Sequence, residues 1–346
     1  MKNITNFIIV TIAIITALIV GKGILIPFIF ALIFWFLTRE IRKTIYKIPF
    51  SKRFIPKWLS NVFVFTLIIL AFGFISGIIT SSITDLTESY SRYEPNIEKI
   101  INNLGAYFHV DIIKSVKSVI GDFNYGSFLG SIANGISGIL GDTFMIIIYA
   151  LFIILEEGSF IKKLRKIFIK DNQYNNVKGM LDKIENSISN YLRLKTYMSL
   201  LTGILSYIAL IIVGVDSAPF WAFLIFLLNY IPTIGSLIAT LFPAIFSLIQ
   251  FGEFSPFIIV LLAVGLVQVI VGNIIEPRVF GKSLNLSPLV TILSLTIWGA
   301  IWGVTGMILS VPITVILMII FSQIEKTRSI AMILSESGEI EALEKK

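Results

Sequence analysis

The chain has 346 residues, 56% of them hydrophobic and only 14% charged, with a mean hydropathy of +0.90; an average soluble domain is about 25% charged, so a soluble globular protein is excluded. The net charge of +7 would suit nucleic acid if it lay on one soluble face, but the Lys and Arg residues cluster in loops beside apolar runs and read as topology signals instead. There are no cysteines, which excludes disulfides and thiolate chemistry, and His109 is the single histidine, which makes a histidine-based metal site or a histidine-dependent catalytic triad implausible.

A membrane span needs about 20 apolar residues. Ile4 to Val20 and Ile24 to Leu37 meet this, joined by the short turn "GKG". The following "TREIRKTIYKIPFSKRFIPKW" has seven Lys or Arg against the single acid Glu40, which the positive-inside rule places in the cytoplasm. Asn61 to Thr80 then crosses outward as a third span. Residues 81–142, with seven acidic against four basic residues, are expected outside. Apolar side chains from Ile83 to Val116 recur there at three, four or seven, which predicts amphipathic helices forming either a cap or a surface connector. The segment ends in "GDFNYGSFLGSIANGISGILGD", where Gly126, Gly130, Ser131 and Gly135 predict tight helix packing or a subunit contact.

Phe144 to Leu155 completes the fourth span and returns to a region with nine basic residues and three acids between Gly158 and Lys195, again cytoplasmic. Glu156 and Glu157 end that span and are expected to be solvated. Thr196 to Val213 is the fifth span. From Tyr197 to Phe321 only Asp216, Glu253, Glu276, Arg278 and Lys282 carry charge, and two apolar stretches are interrupted, one at "NYIPTIG" and one at "WGAIWGVTG". Proline removes a backbone donor and glycine weakens a helix, so each break frees amide and carbonyl groups that hydrocarbon cannot satisfy. Paired discontinuous segments of this kind point to a secondary-transporter site; whether they are broken spans or re-entrant hairpins stays open at this level.

The reading is an all-α polytopic integral membrane protein with about seven or eight transmembrane segments, two of them broken or re-entrant in the C-terminal half. Its expected divisions are a three-span region over 1–80, an extracytoplasmic helical segment over 81–142, a fourth span with basic helices over 143–195, a transport core over 196–321, and a cytoplasmic tail over 322–346. Candidate pathway residues are Asn229, Thr233, Gln268 and Asn273, which can hydrogen-bond a polar solute without desolvating an ion, with Glu276 and Arg278 as the charged pair beside Pro277. An intramembrane acid is a functional candidate by default, although "IEPR" also fits a helix end at an interface. Pro232, Gly235, Pro277, Gly303, Gly306 and Pro312 are the candidate hinge or helix-break positions. Trp298 and Trp302, four apart, fit an interfacial anchor or a gate.

"NYIPTIGSLIATLFPAIFSL" and the long tract "VQVIVGNIIEPRVFGKSLNLSPLVTILSLTIWGAIWGVTGMILSVPITVIL" resemble the two signatures of the AI-2E family, the autoinducer-2 exporter-like permeases. Gln268, Asn273, Pro277, Gly281, Pro288, Gly299, Gly303, Gly306 and Pro312 carry the resemblance in order and spacing, while the N-terminal half is similar only in layout. Many members have a histidine before the proline of "LSP"; this chain has Ser287, which puts proton coupling at that position in doubt. The resemblance implies gradient-driven export of a small hydrophilic molecule, or sodium (lithium)/proton antiport in other members. A non-transporting scaffold is the remaining alternative; a membrane enzyme is disfavoured, with no HExxH and no paired intramembrane aspartates. No P-loop occurs, and neither cofactor nor metal nor nucleic acid is expected. The expected partners are the lipid bilayer, a hydrophilic solute with a coupling proton or sodium ion, and further copies of the chain, with a pentamer as the working order. The expected location is the bacterial cytoplasmic membrane, with both termini in the cytoplasm.

Overall fold

The computed structural model describes residues 2–45, 57–89, 91–97, 99–100, 125–168, 171–280 and 285–339. His109 and the basic loop over 46–56 lie outside them, and so do the side-chain surroundings of Gly126, Gly130, Ser131 and Gly135. Among the described residues the chain is helical apart from short turns and bends and one isolated bridge between Leu286 and Ser335. The helices in chain order are α1 (Lys2–Val20), α2 (Lys22–Ile45), α3 (Lys57–Glu88), α4 (Tyr125–Ile167), α5 (Asp171–Val213), α6 (Ala218–Leu228), α7 (Ile234–Phe251), α8 (Phe254–Val269), a π-helical turn over Ile270–Ile275, α9 (Glu276–Phe280), α10 (Pro288–Ser322) and α11 (Arg328–Leu334). Among the described residues six stretches are long and apolar enough to cross a membrane: Lys22–Arg42, Thr143–Ile167, Asn172–Val213, Ile234–Phe251, Phe254–Phe280 and Pro288–Ser322. Ile8–Val20 and Ala218–Leu228 are shorter apolar helices. The protein is an all-α, multi-pass membrane protein.

Helix is forced here by the solvent, because in hydrocarbon every backbone amide needs an internal partner. Hydroxyl side chains follow the same rule by bonding back to their own helix. Thr202 donates to the Met198 carbonyl at 2.8 Å, Thr240 to Ser236 at 2.8 Å, and Thr314 to Ser310 at 2.7 Å.

Two compact units divide the chain: residues 1–65, 141–194 and 280–346 form one, and 66–140 with 195–279 form the other. The first unit has a core of Phe36, Ile188, Tyr191, Leu192, Val311, Val315, Met318 and Ile319. It also holds a half-buried ionic knot. Arg39 reaches Glu185 at 2.7 Å and Glu157 at 3.7 Å, Arg42 reaches Glu157 at 3.5 Å, and Arg193 reaches Glu40 at 3.1 Å. The Trp35 indole also donates to Glu157 at 3.3 Å. Glu157 is therefore a shared anion between α2 and α4 rather than a solvated span end, because three donors converge on it.

The second unit is centred on Leu210, Val215, Ala218, Ile225, Ala239, Ala244, Val260 and Val264, which join α5, α6, α7 and α8. The helical stretch over 91–97 docks on this unit's turns. The Tyr93 hydroxyl donates to Asp216 at 2.7 Å, and the Asn96 carboxamide donates to the Gln250 carbonyl at 2.6 Å. Gln250 in turn accepts from the Asp216 amide at 2.8 Å and donates to the Gly214 carbonyl at 2.9 Å. Burial and the Asp216 bond push the Tyr93 phenol up to about 12, so it stays a neutral donor. A polar cavity of about 420 Å³ lies beside it, lined by Asp85, Glu88, Ser89, Arg92, Tyr93, Asp216 and Ser217. The described part of the amphipathic segment is thus a strap across the α5–α6 and α7–α8 turns of its own unit.

Candidate functional site

Each unit holds one of the two helix breaks, and both breaks are hairpins. In the second unit α6 ends at Leu228 and α7 starts at Ile234. Thr233 at φ 60, ψ −59 and a 2.6 Å bond from the Ile234 amide to the Pro232 carbonyl close a γ-turn of the rarer positive-φ kind, a strained conformation for a residue with a Cβ. Gly235 is buried, and a Cβ built on it would stand 1.9 Å from the Leu228 carbonyl oxygen. Residues seven apart in a straight helix are about 10 Å apart along the axis, so the chain has reversed. With 11 residues, α6 is about 16 Å long and does not cross about 30 Å of hydrocarbon alone.

The first unit repeats the device inside α10, where Gly303 leaves helical geometry at φ 63, ψ −143, a region only glycine adopts readily. A Cβ on Gly306 would meet the Trp298 carbonyl oxygen at 1.9 Å, and one on Gly299 would meet the Met307 methyl at 3.0 Å. Both arms therefore lie against each other, and the 288–322 run is a helical hairpin rather than one long span. Pro312 sits buried within the second arm, whose backbone stays helical through it. Trp302, buried and 5.2 Å from Trp298, donates its indole N–H to the Leu18 carbonyl at 2.9 Å, filling an orphan acceptor at the end of α1.

Pro277 does not end a helix. The ladder passes into π-helical geometry over Ile270–Ile275 and continues to Phe280, and such a bulge absorbs the donor that proline lacks. Just before it, Glu276 accepts from the Lys195 ammonium at 2.6 Å, with the lysine side chain 7% and the glutamate 23% exposed. Arg278 is exposed instead, as are Thr233 and Asn273, so the glutamate's partner comes from α5 and not from the neighbouring arginine. Gln268 is buried and its Nε2 has no hydrogen-bond partner among the described residues.

Asn229 is buried at the end of α6 and donates to Ser199 at 3.2 Å and to Thr202 at 3.5 Å, both on α5. The next residue, Tyr230, shares a 2.8 Å hydrogen bond with Thr196. Gly203 permits this approach: a Cβ there would meet the Ala222 carbonyl and the Phe226 Cβ, each at 3.3 Å. Asn229, Gln268 and Glu276 thus belong to one unit and are turned inward, while Thr233, Asn273 and Arg278 are not. Lys195 and the α5 hydroxyls were missed in the sequence because Lys195 closes a basic stretch and reads as a topology signal. The legible clue was the four-three-four spacing of Lys195, Ser199, Thr202 and Ser206 on one face.

The family profile described as AI-2E family transporter matches residues 8–326. The chain belongs to the AI-2E family. This AI-2E chain is 31% identical over 321 residues to an unproven transport protein of Haemophilus influenzae, covering 90% of each chain. A second unproven transport protein, from Borreliella burgdorferi, is 33% identical over 297 residues, covering 83% of this chain and 80% of the relative. AI-2 transport protein TqsA of Escherichia coli K12 is 31% identical over 291 residues, covering 82% of both.

Proposed function

We propose that this AI-2E membrane protein is a secondary transporter that exports a small hydrophilic molecule of the autoinducer-2 kind, using an ion gradient and alternating access around its helical hairpins. The observation that carries the reading is the buried polar tip of the α6–α7 hairpin, where Asn229 and Tyr230 bond to hydroxyls of α5. The Escherichia coli relative, AI-2 transport protein TqsA, supports the solute. Pathway roles fall to Asn229, Gln268 and Glu276 on this reading, with Thr233, Asn273 and Arg278 meeting the solute at the mouth, and Pro232, Gly235, Gly303 and Gly306 shaping the hairpins. The location is the bacterial cytoplasmic membrane, termini inside, as a homo-oligomer, with no catalytic chemistry. The Lys195–Glu276 pair favours a second reading, sodium (lithium)/proton antiport, because it is an ion pair within an apolar stretch, with its lysine buried.

Purified protein in liposomes, under a proton or a sodium gradient imposed separately, tests both. Efflux of loaded autoinducer-2 that follows the proton gradient and is lost in Glu276→Gln supports coupled export. Sodium-evoked change in lumenal pH without efflux moves the protein to antiport, and neither signal removes the transport reading.

A further inference from the structure

We propose that α5 carries a second, uncharged wall of the solute path in the second unit, a lane formed by Ser199, Thr202 and Ser206 and closed at one end by the Lys195–Glu276 pair. The proposal rests on the transport reading and deepens it. Lys195, Ser199, Thr202 and Ser206 follow each other at four, three and four residues, so they form one stripe along about 16 Å of a single helix face. All four are buried, the last three completely. Such a stripe is costly in an apolar interior unless each group has a partner. Thr202 is satisfied by its own helix and by Asn229, and Ser199 by Asn229. Ser206 is different: its hydroxyl is fully buried and has no hydrogen-bond partner among the described residues, although a neighbouring carbonyl one turn back is the usual recourse. The Gln268 Nε2 of the same unit is in the same condition. Two unpartnered polar groups in one unit mark places where a polar visitor completes the hydrogen bonding.

The chemistry of the lane selects the visitor. Lys195 and Glu276 cancel each other, and the rest are hydroxyls and carboxamides that both donate and accept. An ion crossing here would lose its hydration without a net opposing charge, whereas a small uncharged solute rich in hydroxyls exchanges water hydrogen bonds for equivalent ones. On this view the ion pair is a neutral end-stop, and Lys195 is a positioning residue that keeps Glu276 from attracting cations into the lane.

Because the chain has no cysteine, each introduced thiol is unique. Single variants Ser199→Cys, Thr202→Cys and Ser206→Cys, with Ile204→Cys and Ile208→Cys as bilayer-facing controls on the same helix (each isoleucine 49% exposed), are reconstituted. They are then treated with two water-soluble methanethiosulfonates, one anionic and one cationic. The expected result is labelling at the three lane positions at least about tenfold faster than at the controls, because these charged reagents do not enter hydrocarbon and react with the ionised thiol. Similar rates for the two reagents are also expected. Lane positions as inert as the controls, in protein whose thermal unfolding matches the parent, overturn the proposal. A strong preference for either charge overturns the uncharged class of solute. Autoinducer-2 efflux from the same vesicles separates the two readings. Inert thiols with intact efflux sink the lane alone, and reactive thiols without efflux leave the lane and sink the export assignment.

Discussion

The two hairpins solve one steric problem with the same part and fill it with opposite chemistry. In both, a Cβ built on a glycine would stand only 1.9 Å from a carbonyl oxygen of the preceding arm, Gly235 on Leu228 and Gly306 on Trp298. The α6–α7 tip places Asn229 and Tyr230 on hydroxyls of α5, whereas the α10 tip places two tryptophans together and ties one to the end of α1. A broken helix is therefore not by itself a binding site. What matters is which side chains the break carries inward, and of the two hairpins it is the α6–α7 one that turns polar side chains onto hydroxyls of a neighbouring helix.

The largest expected effect tests the shared part. Gly235→Ala and Gly306→Ala should each prevent close packing of the arms and cost several kcal/mol, read as lost monodisperse protein or a large fall in Tm, since backbone and not a flexible side chain is struck. Tolerance at one of them would break the equivalence. Next in size, Lys195→Met and Glu276→Gln should each destabilise by about 3–5 kcal/mol by stranding a buried charge, while the double variant recovers most of the loss; thermal unfolding of the three proteins checks this. Asn229→Ala should then cost about 1–3 kcal/mol and reduce flux, against about 1 kcal/mol and unchanged flux for Trp302→Phe, which sharpens the contrast between a pathway tip and a structural one. A smaller, opposite effect is expected for Thr233→Gly, which removes a strained positive-φ Cβ and should raise stability by roughly 1 kcal/mol.

The smallest effect concerns the strap. Tyr93 has its pKa raised in the folded protein, so its neutral form is favoured there. Its contribution should be constant below about pH 10 and disappear as the pH climbs toward about 12, with Tyr93→Phe flat over that window. Thermal unfolding between pH 7 and about pH 12 reads the difference.

Composition and apolar run length determined the membrane class, the helical content and the position of both breaks, because a bilayer admits little else and because Pro and Gly announce where a helix fails. They did not determine which residues meet. Glu276 stands next to Arg278 in the sequence, yet its cation is Lys195, 81 positions away, brought to it by the packing of α5 on the helix that carries Pro277. Pro277 looked like a helix end, and a π-helical turn absorbed it. Glu157 looked solvated, and α2 turned two arginines and a tryptophan toward it. Propensity and hydropathy are local, so the sequence alone fixes what kind of element forms and where it breaks. Which face of each helix is buried, and which distant partner satisfies a buried polar group, is set by packing between helices and was decided only in the tertiary structure.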